Sequence, residues 1–202
     1  VDKVFMASTH DYLLCFTNKG RAYWLRVYDI PEGSRTAKGK AIVNLLNLTD
    51  EDVSAVIPLR SFDSDKYFLY ATKSGRIGKF SQDLFSRPRA GGIIGMTLLD
   101  GDELVDVVMT NGKSDVVLTT AYGQSLRFSE DEVRATGRGS QGVIGIKMKY
   151  EEDRVCGLTL VDEKAKYLFL LTDKGFGKRT LFDEFMGHGR ATQGVRAITA
   201  NF

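Results

Sequence analysis

The chain has 202 residues, 43% hydrophobic and 27% charged, with a net charge of +2, an ordinary globular composition long enough for one large core or two small ones. No apolar run approaches the ~18 residues that a membrane helix needs. Two cysteines, Cys15 and Cys156, exclude a disulfide framework or a cysteine-rich metal site, and a reducing, cytoplasmic setting is the simplest reading.

In chain order the elements recur. Val4–Ala7 reads as a short apolar strand. A second strand, YLLCFT, runs into the turn NKG, and a third, RAYWLRV, leaves it. Glycine in that turn can take the positive φ that a tight hairpin needs. A polar, glycine-containing loop then leads to a fourth strand ending near Leu46. The cycle restarts at Val53–Ile57, at Leu104–Val108 and at Val155–Leu160, with hairpin turns KSG, AYG and DKG. Third strands follow as RIGKF, QSLRF and GKRT, and fourth strands end near Leu98, Met148 and Ile198. The helical candidates are single turns at DEVRA and LFDEF.

Two landmarks hold one period. The hairpin glycines Gly20, Gly75, Gly123 and Gly175 are spaced by 55, 48 and 52 residues. A second set, Gly39, Gly92, Gly142 and Gly194, in motifs such as AGGIIGMTL, SQGVIGIKM and the closing ATQGVRAITANF, is spaced by 53, 50 and 52. Four short strands in ~50 residues, repeated, are the mark of propeller-like blades. The predicted fold is therefore all-β: one domain over 1–202, with repeats 1–51, 52–102, 103–153 and 154–202. A β-sandwich with irregular loops leaves the period unexplained.

Charge is segregated within the repeat. From each hairpin glycine through the glycine loop (20–40, 75–95, 123–147 and 175–196) the chain holds 17 Lys or Arg against 8 acids, whereas the rest holds 11 against 18. The position four residues after the hairpin glycine is Trp24, Lys79, Arg127 and Arg179, next to Leu25, Phe80, Phe128 and Thr180. Neighbouring strand residues face opposite ways, so these cations are expected to point outward while Phe80 and Phe128 point inward. Arg21, Arg26, Arg76 and Lys178 accompany them on the third strands. The loops add Arg35, Lys38 and Lys40, then Arg87 and Arg89, then Arg134 and Arg138, then Arg190 and Arg196. Any one of these reads as a solvated surface cation, but recurrence at one address suits a polyanion with regularly spaced phosphates. Duplex DNA bent round a basic rim fits best, held through its backbone with bendable sequences favoured.

Catalysis finds no support in the residues. The two histidines, His10 and His188, lie in no triad or zinc spacing. GRGSQG at 137–142 lacks the Lys-Ser/Thr of a phosphate loop and leads into a strand. The acidic turns LTDEDV, LDGDEL and YEEDRV lack the alternation of a calcium loop and read as solvated connections. No metal and no cofactor is expected in the chain. A protein-interaction propeller of the WD40 or kelch type is the rival from another class, but no repeat carries Trp-Asp or a kelch double glycine at a fixed place.

STHDYLLCFTNKGRAYWLRVYDIPEGSRTAKGKAIVNLL, LLDGDELV, RFSEDEVRATGRGSQGVIGI and GFGKRTLFDEF followed by RATQGV together resemble the C-terminal domain of the A subunit of bacterial DNA gyrase, with the corresponding subunit of topoisomerase IV as the near alternative. The resemblance covers essentially the whole chain. It implies a β-pinwheel, in which neighbouring blades exchange a strand and the outer surface wraps DNA. It implies a four-blade excerpt of a domain of five or six blades. The fragment would be non-catalytic, the nucleophilic tyrosine of such enzymes lying in another part of the polypeptide. The implied parent is a type II topoisomerase that introduces negative supercoils and uses ATP and magnesium elsewhere. It would assemble as A2B2, with the B subunit and a second A subunit, in the nucleoid-containing cytoplasm. The family's signature heptapeptide QRRGGKG is absent. SRTAKGK at Ser34–Lys40 occupies the equivalent loop, where Arg35, Lys38, Gly39 and Lys40 fit the pattern and Thr36 and Ala37 do not.

Overall fold

The computed structural model describes residues 4–46, 48, 50–161, 164, 166–185 and 187–198, so the last four residues of the closing motif lie outside it. Among the described residues there are fourteen strands, one short helix and four single 3₁₀ turns.

The first hairpin pairs β1 (Tyr12–Thr17) with β2 (Arg21–Arg26), followed by helix α1 (Ile42–Leu46). The second repeat supplies β3 (Val53–Leu59), β4 (Tyr67–Thr72), β5 (Arg76–Ser81) and β6 (Ile93–Ile94). The third supplies β7 (Leu104–Thr110), β8 (Asp115–Thr120), β9 (Gln124–Ser129) and β10 (Val143–Ile144). The fourth supplies β11 (Val155–Val161), β12 (Tyr167–Leu171), β13 (Gly177–Leu181) and β14 (Val195–Arg196).

No sheet is built from one repeat alone except the last hairpin. The sheet orders are β3-β1-β2-β6, β10-β5-β4-β7 and β11-β8-β9-β14, with β12-β13 a two-stranded sheet. Each of the first three hairpins is thus flanked by the first and fourth strands of the following repeat. The exchange that the resemblance implies is present at every complete blade.

Two expected strands are not strands. Val4–Ala7 joins no sheet, and the segment expected as the fourth strand of the first repeat is α1. The cause is the same exchange: a first or fourth strand pairs on the preceding hairpin, and no hairpin precedes Tyr12 among the described residues.

The hydrophobic core lies between blades. Along β4, Phe68 and Tyr70 join Leu14, Phe16, Phe80, Phe85 and Met96 in the seam with the first blade. Leu69 and Ala71, on the other face, join Ile77, Val116, Leu118, Leu126 and Phe128 in the seam with the third. Val117 turns the opposite way from its neighbours to meet Leu168, Phe182 and Phe185 of the fourth repeat. Both faces of the central hairpins are therefore covered, which is why YFLYAT and DVVLTT read as continuous rather than alternating apolar runs. On the first blade, α1 takes the place of a neighbour: Leu13, Cys15, Tyr23 and Leu25 pack under Leu46, with Ile42 and Leu45 beside it. On the last hairpin nothing does among the described residues, and Phe169 and Leu171 are 64% and 66% exposed.

Each of the first three hairpin glycines meets the residues three and four positions past the second glycine landmark of the following repeat. The carbonyl of Gly75 accepts the amides of Gly145 and Ile146 at 2.8 and 3.1 Å, as Gly20 does from Gly95 and Met96 and Gly123 from Ala197 and Ile198. Gly142 has φ +67°, and a Cβ there would lie 2.4 Å from the carbonyl oxygen of Ile77, so the short strand β10 can approach β5 only with glycine at that position.

Candidate nucleic-acid interface

The sixteen candidate cations fall into three groups according to what their side chains do. The first group braces the short fourth strand of the next repeat. Arg76 donates from Nε to the carbonyl of Gln141 at 2.8 Å and from Nη2 to that of Gly142 at 2.7 Å. Arg21 donates to the hydroxyl of Tyr23 at 2.9 Å and to the carbonyl of Gly91 at 2.7 Å, and its Nε lies 3.7 Å from Glu51. Tyr70 works beside Arg76: its hydroxyl donates to the carbonyl of Ser140 at 3.1 Å, and burial holds its phenol well above the ordinary value. Lys178 differs: exposed, it reaches the carbonyl of Ala197, just past β14, at 3.2 Å within its own repeat.

The second group corrects an expectation. Lys79 does not point outward: it is 6% exposed, and its Nζ donates at 2.9 Å to the carbonyl of Glu130 in the third repeat. The carboxylate of Glu130 is fully buried, 3.7 Å from that Nζ, accepting from the amide of Ser114 at 2.6 Å and from the hydroxyl of Thr110. Arg127, half-buried, donates at 2.8 Å to the carbonyl of Phe182 and pairs with Asp115 at 2.9 Å. Strand alternation places Lys79 opposite to Phe80 as expected, but the next blade covers that face too, so the side chain ends in a seam and not in water. Trp24, at the same address, donates from Nε1 to the carbonyl of Phe85 at 2.9 Å. The common function is a strut from the third strand to the 3₁₀ turn of the next blade. Arg179 has no such turn to reach among the described residues, is exposed, and lies over the Tyr167 ring at 4.3 Å.

The third group is exposed: Arg26 on β2, Arg35, Lys38 and Lys40 in the loop 31–41, Arg87 and Arg89 after β5, Arg134 and Arg138 after β9, and Arg196 on β14. Arg26 lies against Tyr12 and Tyr28, and the hydrogen bond to the Tyr28 hydroxyl raises its already high pKa. Arg190 sits at the border, half-buried, donating to the carbonyls of Glu132 and Ile144 at 3.1 Å each. The structure brings Arg21, Arg89 and Arg138, from three successive repeats, to one groove of about 450 Å³ that Thr97 and Gly139 also line. Arg87 joins Arg89 and Arg138 in an adjoining hollow with Asp83.

The acidic turns, expected as solvated connections, hold the hairpins instead. Asp102 accepts from the amide and hydroxyl of Ser74 at 2.9 and 2.6 Å. Asp153 is buried and accepts from the amides of Tyr122 and Arg154. Both carboxylates stand just before a first strand, β7 or β11, in the sequence, but the turns they hold, at Ser74 and Tyr122, lie 28 and 31 residues earlier in the chain. His10 and His188 are both exposed, and among the described residues no three His, Cys, Asp or Glu side chains could hold a metal ion. Among them, too, no helix is long and apolar enough to cross a membrane.

Interlocked blades with cations concentrated in the loops between them define a strand-exchanged, propeller-like repeat domain with a basic loop face. The chain belongs to the family described as DNA gyrase C-terminal domain, beta-propeller, whose profile matches residues 11–60, 66–111, 114–161 and 166–201. It is 44% identical over 199 residues to the A subunit of DNA gyrase from Salmonella typhimurium (strain LT2) and 43% identical over 201 residues to that from Chlamydia muridarum, each match covering 98% of this chain. The chain spans about a fifth to a quarter of the length of these relatives (22% and 24%). Among solved structures it resembles the C-terminal domain of DNA topoisomerase IV (TM-score 0.84, 32% identity, 93% of this chain and 58% of that one). It also resembles the DNA gyrase A C-terminal domain (TM-score 0.78, 29% identity, 94% and 60%).

Proposed function

We propose that this chain binds duplex DNA without regard to sequence and bends it around the basic loop face, as the non-catalytic C-terminal part of the A subunit of a DNA gyrase. One observation carries the reading: after the structural cations are set aside, seven of the cations that remain exposed, Arg35, Lys38, Lys40, Arg87, Arg89, Arg134 and Arg138, lie in the loops that follow the third strands of the first three repeats. Cations so placed meet phosphates at intervals set by the blades, and each phosphate neutralised releases counterions, giving salt-sensitive, backbone-directed affinity.

In this reading the parent enzyme, with the B subunit and a second A subunit, supplies the ATP-driven strand passage and the magnesium chemistry in the nucleoid. This domain presents the bent duplex that makes the product negatively supercoiled. The same geometry serves the equivalent chain of topoisomerase IV, favoured by the higher TM-score, whereas the sequence relatives favour gyrase.

The test is a titration of the chain with a duplex of ~40 base pairs labelled at both ends, at two salt concentrations. Salt-sensitive binding with the ends drawn together supports bending. Binding without end approach assigns the face to docking alone and removes the bending claim. Absence of binding at low salt overturns the reading and favours a protein-contact role.

A further inference from the structure

The cationic loop face is not uniform. Resting on the reading of that face as a DNA-binding surface, we infer that the groove between the second and third repeats, lined by Arg21, Arg89 and Arg138, is a single anchoring site for one stretch of duplex phosphate backbone, stronger than its counterparts in the later repeats.

The groove is built rather than incidental. Gly139 donates its amide to the carbonyl of Gly95 at 2.8 Å, and Thr97 donates to that of Ser140 at 3.2 Å, so the loops carrying the second and third repeats' arginines are tied together. Arg21 forms one wall, its guanidinium fixed by Tyr23 and Gly91. Its backbone pairs with Ile94, which lines the groove beside Ile93. Arg89 and Arg138 line the same groove, and among the described residues neither guanidinium has a hydrogen-bond or carboxylate partner. Among the described residues no acidic side chain lines it; Glu51 lies 3.7 Å from Arg21 Nε, and Asp83 lines the adjoining hollow. A guanidinium offers paired N–H donors to phosphate oxygens, and two unpartnered guanidiniums on tied loops give up little on binding.

The equivalent addresses one and two repeats later are weaker. At the next seam they hold Arg76, Gly139 and Arg190. There Arg76 is held by the carbonyls of Gln141 and Gly142 much as Arg21 is held by Tyr23 and Gly91, but Gly139 brings no side chain and Arg190 is occupied by the carbonyls of Glu132 and Ile144. At the last seam the first two addresses hold Gln124 and Ala191. Free cationic donors therefore decline from the first complete seam to the last.

The experiment compares two double variants, R89A/R138A in the groove and R134A/R196A on exposed positions outside it, for binding a ~20 base-pair duplex across a salt series. The groove double is expected to lose tenfold or more in affinity at ~0.1 M salt, with the slope of log K against log salt falling by about 2, while the other double loses less than about threefold. R89K/R138K restores the salt slope because the charge returns, with affinity below the parent because the paired donors do not. Equal losses in the two alanine doubles would overturn the single anchor while leaving DNA binding intact. A lysine double that fails to restore the slope would overturn the phosphate contact. Failure of the unsubstituted chain to bind at low salt would strike the DNA reading itself. All four alanine positions are exposed, so unchanged thermal melting accompanies either outcome.

Discussion

Lys79 Nζ meets the carbonyl oxygen of Glu130 at 2.9 Å across the seam between two blades, with the Glu130 carboxylate fully buried alongside. Trp24 and Arg127 make the same crossing to Phe85 and Phe182. A position that looks like a row of surface cations is thus, at three of four repeats, the connection that holds one blade to the next.

Removing the Lys79 side chain leaves a buried carboxylate without its counter-charge. Lys79→Ala is expected to destabilise the fold by about 3 kcal/mol, read as a lower urea midpoint. Adding Glu130→Gln should recover part of the loss, giving a coupling between the two sites. Strictly additive effects would show that the strut carries no pairwise energy.

Gly142→Ala and Gly39→Ala change the same repeat address. Both backbones have positive φ, but a Cβ at Gly142 meets the Ile77 carbonyl oxygen at 2.4 Å, whereas nothing lies within 4 Å of Gly39. Gly39→Ala should cost about 1 to 2 kcal/mol from backbone conformation alone. Gly142→Ala should cost about 3 kcal/mol or more, because β10 must leave β5. Thermal melts of the two proteins side by side decide it, and equal shifts would remove the close approach as a determinant.

Burial pushes the Cys15 thiol from 9.0 up to about 12, and burial raises the Tyr70 phenol as well. The folded chain therefore holds these protons more tightly than the unfolded one. That stability is complete below pH ~9 and declines as pH rises toward 12. Urea midpoints at pH 8, 9.5 and 11 should fall in that order, and Cys15→Ala should flatten the fall. At pH 8 a thiol reagent should modify Cys156, which is exposed, while Cys15 stays silent until the protein unfolds. Early labelling of both would contradict the packing under α1.

Arg35→Ala with Lys38→Ala removes two exposed cations and touches no seam. DNA affinity should fall alike for unrelated sequences, with the salt slope reduced by about 1 for each phosphate left unneutralised. A loss confined to one sequence would mean that the loop reads bases.

The period, the hairpins and the basic loops were legible because each leaves a local mark: glycine spacing, an apolar run closed by a turn, a cluster of arginines. Partnership was not. That Ile93–Ile94 lies on β2 and not on β5, and that Lys79 ends in a seam, both depend on which repeat lies next door in space. A pattern that repeats gives every copy the same neighbours in sequence and says nothing of this. Period-two alternation failed at Lys79 for a definite reason: it distinguishes two faces but not wet from dry, and here both are dry. The same limit hid the role of Trp24, whose indole N–H does at one repeat what an ammonium and a guanidinium do at the next two.

Because every complete blade borrows its two edges from the repeat that follows, a boundary drawn between sequence repeats never coincides with a boundary between blades. A protein trimmed at residue 51 would keep β1 and β2 but lose both of their flanking strands. Excision of a whole repeat from the interior is a different operation. Removing 52–102 would hand β7 and β10 to the first hairpin, with the carbonyl of Gly20 set opposite the amides of Gly145 and Ile146 that Gly75 now receives. The joints are interchangeable though the pieces are not separable, so such a chain can be shortened or lengthened only in whole turns of its own period.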